Sequence, residues 1–190
     1  MVVRACLFLF CLVPLAGFAA ELRFVDVARE KGHIKVASET YIDAPPAAVF
    51  RILADYEGFQ RISKVFEETR YLERDEQGNG VVYSRAAGCV LFFCKTIERV
   101  ETLTITPSEE IVAVAIPEQS DVDFSVARWQ FEPEGEGTRL LYGVDFKPDF
   151  WVPPLLGPMI IRAKLRSRGS EAAVRIERLA NALQIHRVSP

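Results

Sequence analysis

The chain has 190 residues, of which 49% are hydrophobic, and its 23 Lys and Arg side chains against 26 Asp and Glu give a formal net charge of −3. This length suits one domain with a single core that can hold a pocket, and the hydrophobic content excludes a disordered chain. The acidic balance argues against a nucleic-acid partner.

Residues 1–19 are predicted to be a signal peptide. Arg4 provides the positive N-terminal charge, residues 5–16 are apolar, and Gly17 and Ala19 place small side chains before a cleavage site after Ala19. A membrane anchor is the alternative, but the apolar run is shorter than the roughly 20 residues that span a bilayer, and Pro14 interrupts it. We therefore expect an exported protein, periplasmic or secreted.

Residues 20–32 show no clear period and are expected to form an irregular lead-in to a domain over residues 33–186. From residue 33 to 42, apolar and polar side chains alternate, which predicts a strand with one buried face. The Asp-Ala-Pro-Pro that follows ends the strand, because proline cannot donate to a ladder and suits the first turn of a helix. Two short helices are predicted next, at 47–53 and around 59–63.

Six further strands are expected at 65–72, 80–87, 90–103, 110–116, 124–132 and 138–146, and the turn-rich segments between them predict antiparallel pairing. From residue 153 to about 186, residues at three- and four-residue steps predict a long helix. Its middle carries only small side chains on that stripe, with Gly169 among them. Either a partner side chain or a cavity lies beside them, and dense core packing elsewhere in proteins favours the cavity.

A family resemblance lies in residues 42–57, with the sequence IDAPPAAVFRILADYE. Together with the order of elements, this segment resembles the START-like or SRPBCC superfamily of polyketide cyclases, lipid-transfer domains and coenzyme-Q-binding proteins, over residues 33–184. The resemblance implies an α+β helix-grip fold, in which a curved antiparallel sheet of about seven strands wraps around the C-terminal helix. It also implies an apolar cavity between them, but no shared active site, because members range from carriers to cyclases.

Four large aromatic residues lie on elements expected to face the long helix: Phe59, Trp129, Tyr142 and Trp151. We predict that they contribute to the wall or mouth of a ligand pocket, with ordinary core packing as the alternative. Trp151 belongs to the apolar, proline-rich connector 150–158, which is interpreted as a lid, a membrane-touching edge or a buried connector.

The sequence offers little for covalent chemistry. The two histidines lie at element ends, Asp121 and Asp123 share one strand face beside a turn, and no metal or phosphate-loop motif occurs. We therefore assign no catalytic residue, metal or cofactor. The leading hypothesis is an exported binder or carrier of an apolar small molecule, such as a lipid or quinone. The alternatives are a cyclase- or hydrolase-type enzyme using pocket Tyr and Asp residues, and a protein-interaction module without a ligand. A basic run at 162–168 allows transient contact with a membrane surface.

Cys89 and Cys94 remain once the signal segment, which carries the other two cysteines, is removed. In an oxidising compartment a disulfide is the leading interpretation, with buried free thiols or a zinc site as alternatives. Their odd separation puts the two side chains on opposite faces of a straight strand, so a bridge requires the chain to turn between them. Residues 90–93 would then form a hairpin tip.

Overall fold

The computed structural model describes residues 20–90, 93–150 and 156–188. Its α-helices there are α1 (Pro46–Ala54), α2 (Phe59–Ile62) and α3 (Leu156–Val188), with 3₁₀ turns at Tyr56–Gly58 and Pro117–Gln119. Its strands are β1 (Glu21–Glu30), β2 (His33–Ile42), β3 (Phe66–Arg74), β4 (Gly80–Val90), β5 (Phe93–Thr106), β6 (Glu110–Ala115), β7 (Val122–Glu134) and β8 (Gly137–Pro148).

The eight strands form one antiparallel sheet in the order β1-β2-β8-β7-β6-β5-β4-β3. Short connections join β1 to β2 and each pair of consecutive strands from β3 to β8, whereas α1 and α2 lie between β2 and β3. The long-range pairing of β2 with β8 joins the first two strands to the rest. The expected α+β helix-grip fold, with short helices early in the chain and one long C-terminal helix, is confirmed.

The expected irregular lead-in before residue 33 was wrong, and it accounts for the eighth strand. Residues 21–30 form β1, which pairs with β2 through a two-residue turn in which Lys31 and Gly32 have positive φ values of 49° and 87°. Val25 and Val27 are buried, whereas the charged residues beside them are exposed. The alternation is too short to stand out from sequence alone, and pairing with β2 supplies the missing stabilisation.

The side of the sheet that faces α3 is called the inner face. On β2 it carries Ile34, Val36 and Ile42, which are at most 6% exposed, so the predicted buried face of this strand is confirmed. Its neighbours on β8 follow the same alternation, with Val144 opposite Val36 and Phe146 opposite Ile34. Pro46 begins α1, where its missing N–H costs no intrahelical hydrogen bond.

Helix α3 contacts both ends of the curved sheet. Its first half packs Ile161 and Leu165 against β1 and β2, and Arg162 Nη2 donates to Asp26 Oδ1 at 2.7 Å. From the opposite side, the β4 carbonyl of Cys89 accepts a hydrogen bond from Lys164 Nζ. Because β1 and β4 lie six places apart in the sheet order, the sheet must curl around the helix.

The small residues in the middle of α3 have a partial explanation in β1. A Cβ atom added at Gly169 would lie 3.2 Å from Leu22 Cδ2, so a partner side chain, rather than a cavity, occupies the space at this position. The second half of the helix packs Ile176 and Ala180 into the main core with α1. Near its C-terminal end, Glu177 and Asn181 bind the backbone of Asp43 at 2.9 and 3.1 Å, which fixes the helix to the end of β2.

Candidate functional site

The inner face of the sheet is unevenly covered. Ile111 and Ala127 on β6 and β7 are at most 2% exposed, whereas Tyr142, Val144 and Phe146 on β8 are only half-buried. Tyr142 and Val144 lie where two packed clusters meet, one built on α1 and α2 and the other on β1, β2 and the first half of α3. The partly uncovered apolar surface therefore lies between the clusters, where an apolar ligand would be covered by the sheet and α3.

Three of the four predicted ligand-binding residues lie in one aromatic group. Trp129 and Tyr142 are cross-strand partners with ring centroids 5.1 Å apart, and Phe59 of α2 packs edge-on against Trp129 at 6.2 Å. Phe59 is 6% exposed and belongs to the core, whereas Trp129 and Tyr142 are half-buried. Trp151 lies outside the described residues. The ligand-binding role of all four stays a prediction.

Beside this aromatic group the structure places a buried polar cluster that the sequence analysis missed. Glu101 is 2% exposed, and its Oε1 atom lies 3.3 Å from Arg99 Nη1. Tyr56, in the 3₁₀ turn after α1, donates from its hydroxyl to Glu101 Oε2 at 3.2 Å. Tyr142 interacts electrostatically with both charged side chains. We call Tyr56, Arg99, Glu101 and Tyr142 the polar cluster.

The alternation of β5 explains how two charges reach the interior. Arg99 and Glu101 share a face with Leu103, which is 3% exposed, and they pair in register with Ser84 and Val82 of β4. A charged pair on the apolar side of a predicted strand was therefore the available signal. Since charged side chains are rarely buried unless they are paired, such a pattern would have pointed to an internal ion pair.

Burial decides the protonation of the cluster. It raises the pKa of the Tyr142 phenol to about 12, with Arg99 opposing the shift and Glu101 adding to it. Burial, followed by the charge of Glu101, also raises the pKa of Tyr56 above its ordinary value. Burial is the largest single effect on Arg99 and lowers its pKa, but the combined attraction of Glu101, Tyr56 and Tyr142 is larger still, so the pKa is raised. Near neutral pH the site therefore offers protonated phenols and a charged guanidinium.

Three buried side-chain oxygens on the inner face lack an aligned hydrogen-bond partner within the described part of the chain. Glu101 Oε1 faces Arg99 without hydrogen-bond geometry, and the hydroxyl oxygens of Ser84 and Ser125 are buried without a partner. An unsatisfied buried polar group costs about 1–3 kcal/mol. The arrangement can therefore hold a ligand that brings its own hydrogen-bonding groups into an otherwise apolar place.

The predicted disulfide is confirmed. Cys89 and Cys94 are register partners across the β4–β5 hairpin and are bonded at an S–S distance of 2.03 Å, so the chain does turn between them. Besides the bond from Lys164 to the Cys89 carbonyl, the ammonium group of Lys95 lies 4.9 Å from the ring centroid of Phe150 at the end of β8. These contacts hold the Cys89–Cys94 end of the two strands beside α3 and the end of β8, whereas residues 91–92 of the predicted hairpin tip lie outside the described residues.

The residues considered for acid–base chemistry lie away from the polar cluster. His33 Nδ1 is 2.7 Å from Asp145 Oδ1, Asp121 accepts from the backbone N–H of Glu98 at 3.0 Å, and Asp123 pairs with Lys147 at 2.6 Å. Among the described residues, no group of three or more His, Cys, Asp or Glu side chains is placed to hold a metal ion.

A family model described as polyketide cyclase / dehydrase and lipid transport matches residues 33–181, which is most of the chain. The chain belongs to this family. The family's description covers both catalysis and lipid transport. Membership in the polyketide cyclase and lipid-transport family therefore agrees with the expected superfamily and leaves the role of this member to its own residues.

Solved structures show the same fold at low sequence identity. A START superfamily protein from Mycobacterium smegmatis is 18% identical with a TM-score of 0.60, covering 80% of this chain and 99% of that one. The Zhui aromatase/cyclase from Streptomyces sp. R1128 is 17% identical at 0.59, with coverages of 83% and 98%. A STAR-related lipid transfer protein from Xanthomonas axonopodis is 14% identical at 0.59, with coverages of 82% and 98%.

No functionally curated protein matches this family member significantly by sequence. In the described ranges 20–90, 93–150 and 156–188, the structure contains no helix with the length and apolar character needed to cross a membrane.

Proposed function

We propose that this chain binds an apolar small molecule, such as a lipid or quinone, between the inner face of the sheet and α3. The observation that carries the proposal is the half-buried apolar surface of Trp129, Tyr142 and Val144 between two packed clusters. Covering such surface contributes roughly 25 cal/mol per Å² of apolar area removed from water, so burial supplies most of the binding free energy.

The polar cluster favours a ligand whose polar group is uncharged. Arg99 and Glu101 compensate each other's charge, and a ligand carboxylate would add a second anion beside Glu101 in a poorly solvated place. A carbonyl oxygen could instead accept from Arg99 or the Tyr142 hydroxyl, and a ligand hydroxyl could donate to Glu101 Oε1. A ketone, quinone or phenol therefore suits the site better than a free fatty acid.

We propose further that the protein acts outside the cytoplasm. The apolar segment at 5–16 supports export, and the Cys89–Cys94 disulfide suits an oxidising compartment. N-terminal sequencing of the protein from its own host tests this directly. A mature chain that begins after Ala19 is expected, and a chain that keeps its first residues in the cytosolic fraction would contradict export.

Native mass spectrometry of protein purified from its own host tests the binding proposal, followed by solvent extraction of any retained molecule. A panel of quinones, phenols, phospholipids and fatty acids then ranks affinity, with Arg99→Met as the variant that removes a polar partner. We expect uncharged carbonyl or phenol ligands to bind best and to lose about tenfold in affinity in Arg99→Met. Purification without a ligand, together with no binding across the panel, would overturn the proposal and favour a protein-interaction module.

A second candidate is a cyclase-type enzyme, and the buried Arg99–Glu101 pair beside two phenols favours it specifically. Such a cluster could polarise a ligand carbonyl through Arg99 and hold its enol through Glu101, with Tyr142 as a donor. Product formation from a poly-ketone test compound would distinguish this function from simple binding. Loss of turnover in Tyr142→Phe with unchanged affinity would support catalysis, whereas binding without turnover would exclude it.

A further inference from the structure

A cleft of about 310 Å³ lies outside the polar cluster, between the connection from α2 to β3 and the middle of α3. The connection contributes Ser63 and Lys64 to its lining, and α3 contributes Ser167, Arg168, Glu171 and Arg175. Three cations and one carboxylate give this lining a net charge of +2, although the whole chain is acidic at −3.

Two of the four charged groups are occupied in holding the cleft together. Arg175 donates from Nη1 to the carbonyl of Ile62 at 3.1 Å, which ties the C-terminal end of α2 to α3. Its Nη2 atom donates to Glu171 Oε2 at 3.1 Å, so the carboxylate is paired inside the cleft. Arg175 therefore links the two walls of the cleft, and Glu171 pairs with it from the same helix.

Lys64 and Arg168 remain available for a ligand. Both are exposed, they lie on opposite walls, and neither has an ion-pair partner within the described residues. The hydroxyls of Ser63 and Ser167 add one further donor on each wall. The cleft therefore surrounds its free volume with donors from two sides, with no unpaired anion facing them.

We propose that this cleft binds a phosphate group. A tetrahedral oxyanion accepts hydrogen bonds in several directions at once, which suits donors on opposite walls, and bonds between charged groups of this kind are about twice as strong as neutral ones. The group can belong to free phosphate or to a phospholipid headgroup, since both present the same oxygens. The proposal shares no residue with the polar cluster, so it stands or falls independently of the ligand bound there.

The test is an NMR titration of the mature chain with inorganic phosphate at constant ionic strength. Amide shifts at residues 63–65 and 167–171 should change and saturate, and Lys64→Gln with Arg168→Gln should weaken the affinity about tenfold or more. The matched control is Arg166→Gln with Arg178→Gln, which removes two exposed charges from α3 outside the cleft. It should retain the affinity within about twofold, because the field of distant surface charges is screened by salt.

A second arm distinguishes the source of the phosphate. Binding to vesicles is compared for phosphatidylcholine alone and for its equal mixture with phosphatidylglycerol. A phospholipid headgroup is identified if vesicle binding needs phosphatidylglycerol, is weaker in the cleft variant and is displaced by inorganic phosphate. Phosphate binding without vesicle binding identifies a soluble ligand. Absence of saturable shifts, or an equal loss in the cleft and control variants, would overturn the proposal.

Discussion

Replacing Glu101 by Gln tests whether the polar cluster is a desolvated ion pair. The amide keeps an oxygen that can accept from Tyr56, but it removes the negative charge 3.3 Å from Arg99 Nη1. Breaking a fully buried pair costs about 3–5 kcal/mol, and since 22% of the Arg99 side chain is exposed, some of this cost is relieved by water. We expect Glu101→Gln to lower the free energy of unfolding by about 2 kcal/mol.

The double variant Arg99→Met with Glu101→Gln provides the decisive comparison, because the amide oxygen can still accept from the buried Tyr56 hydroxyl. Removing both charges leaves no unpaired ion, so its stability should return to within about 1 kcal/mol of the original chain. Urea unfolding of the mature chain measures both variants through the midpoint at constant m-value. If Glu101→Gln is as stable as the original chain, the conclusion that Arg99 and Glu101 form a desolvated ion pair is refuted.

The same double variant separates structure from function. If the ion pair serves the ligand, a stable double variant should lose binding of carbonyl and phenol ligands while it still binds purely apolar molecules. Unchanged binding of every ligand in a stable double variant would show that the pair has no part in recognition.

Three further outcomes are expected. Phe59→Ala should lower the free energy of unfolding by about 3–5 kcal/mol, because it truncates a core side chain, whereas Trp129→Ala should chiefly weaken ligand binding. Urea unfolding and binding assays measure the two effects. Weaker binding in Phe59→Ala together with lower stability in Trp129→Ala would show that Trp129 belongs to the core and Phe59 to the ligand site. Because the pKa of Tyr142 is raised to about 12, folding keeps its proton, and stability should fall as the pH rises from about 10 towards 12. Tyr142→Phe should reduce that decline in alkaline unfolding curves and leave the part that comes from the raised pKa of Tyr56. Thiol counting on denatured, unreduced mature protein should find no free thiol, and reducing Cys89–Cys94 should cost about 2 kcal/mol, because the closed loop is short.

The sequence by itself determined the architecture, because local patterns dictate it. Alternation from 33 to 42, the double proline at 45–46 and the turn-rich segments between later strands predict the elements without knowledge of their partners. The cysteine pair was predictable because these two cysteines remain after the predicted signal segment and would meet an oxidising compartment, and their odd spacing required a turn between them. The fold follows from the order of these elements.

Tertiary structure decided the first strand and the site. Residues 21–30 become a strand through pairing with β2, and Gly169 is explained by Leu22, which is distant in sequence. The polar cluster joins Tyr56 of a turn, Arg99 and Glu101 of β5 and Tyr142 of β8, three segments that the curvature of the sheet brings together. Sequence patterns report which face of an element is apolar, but the partner that a buried charge finds depends on long-range pairing and curvature.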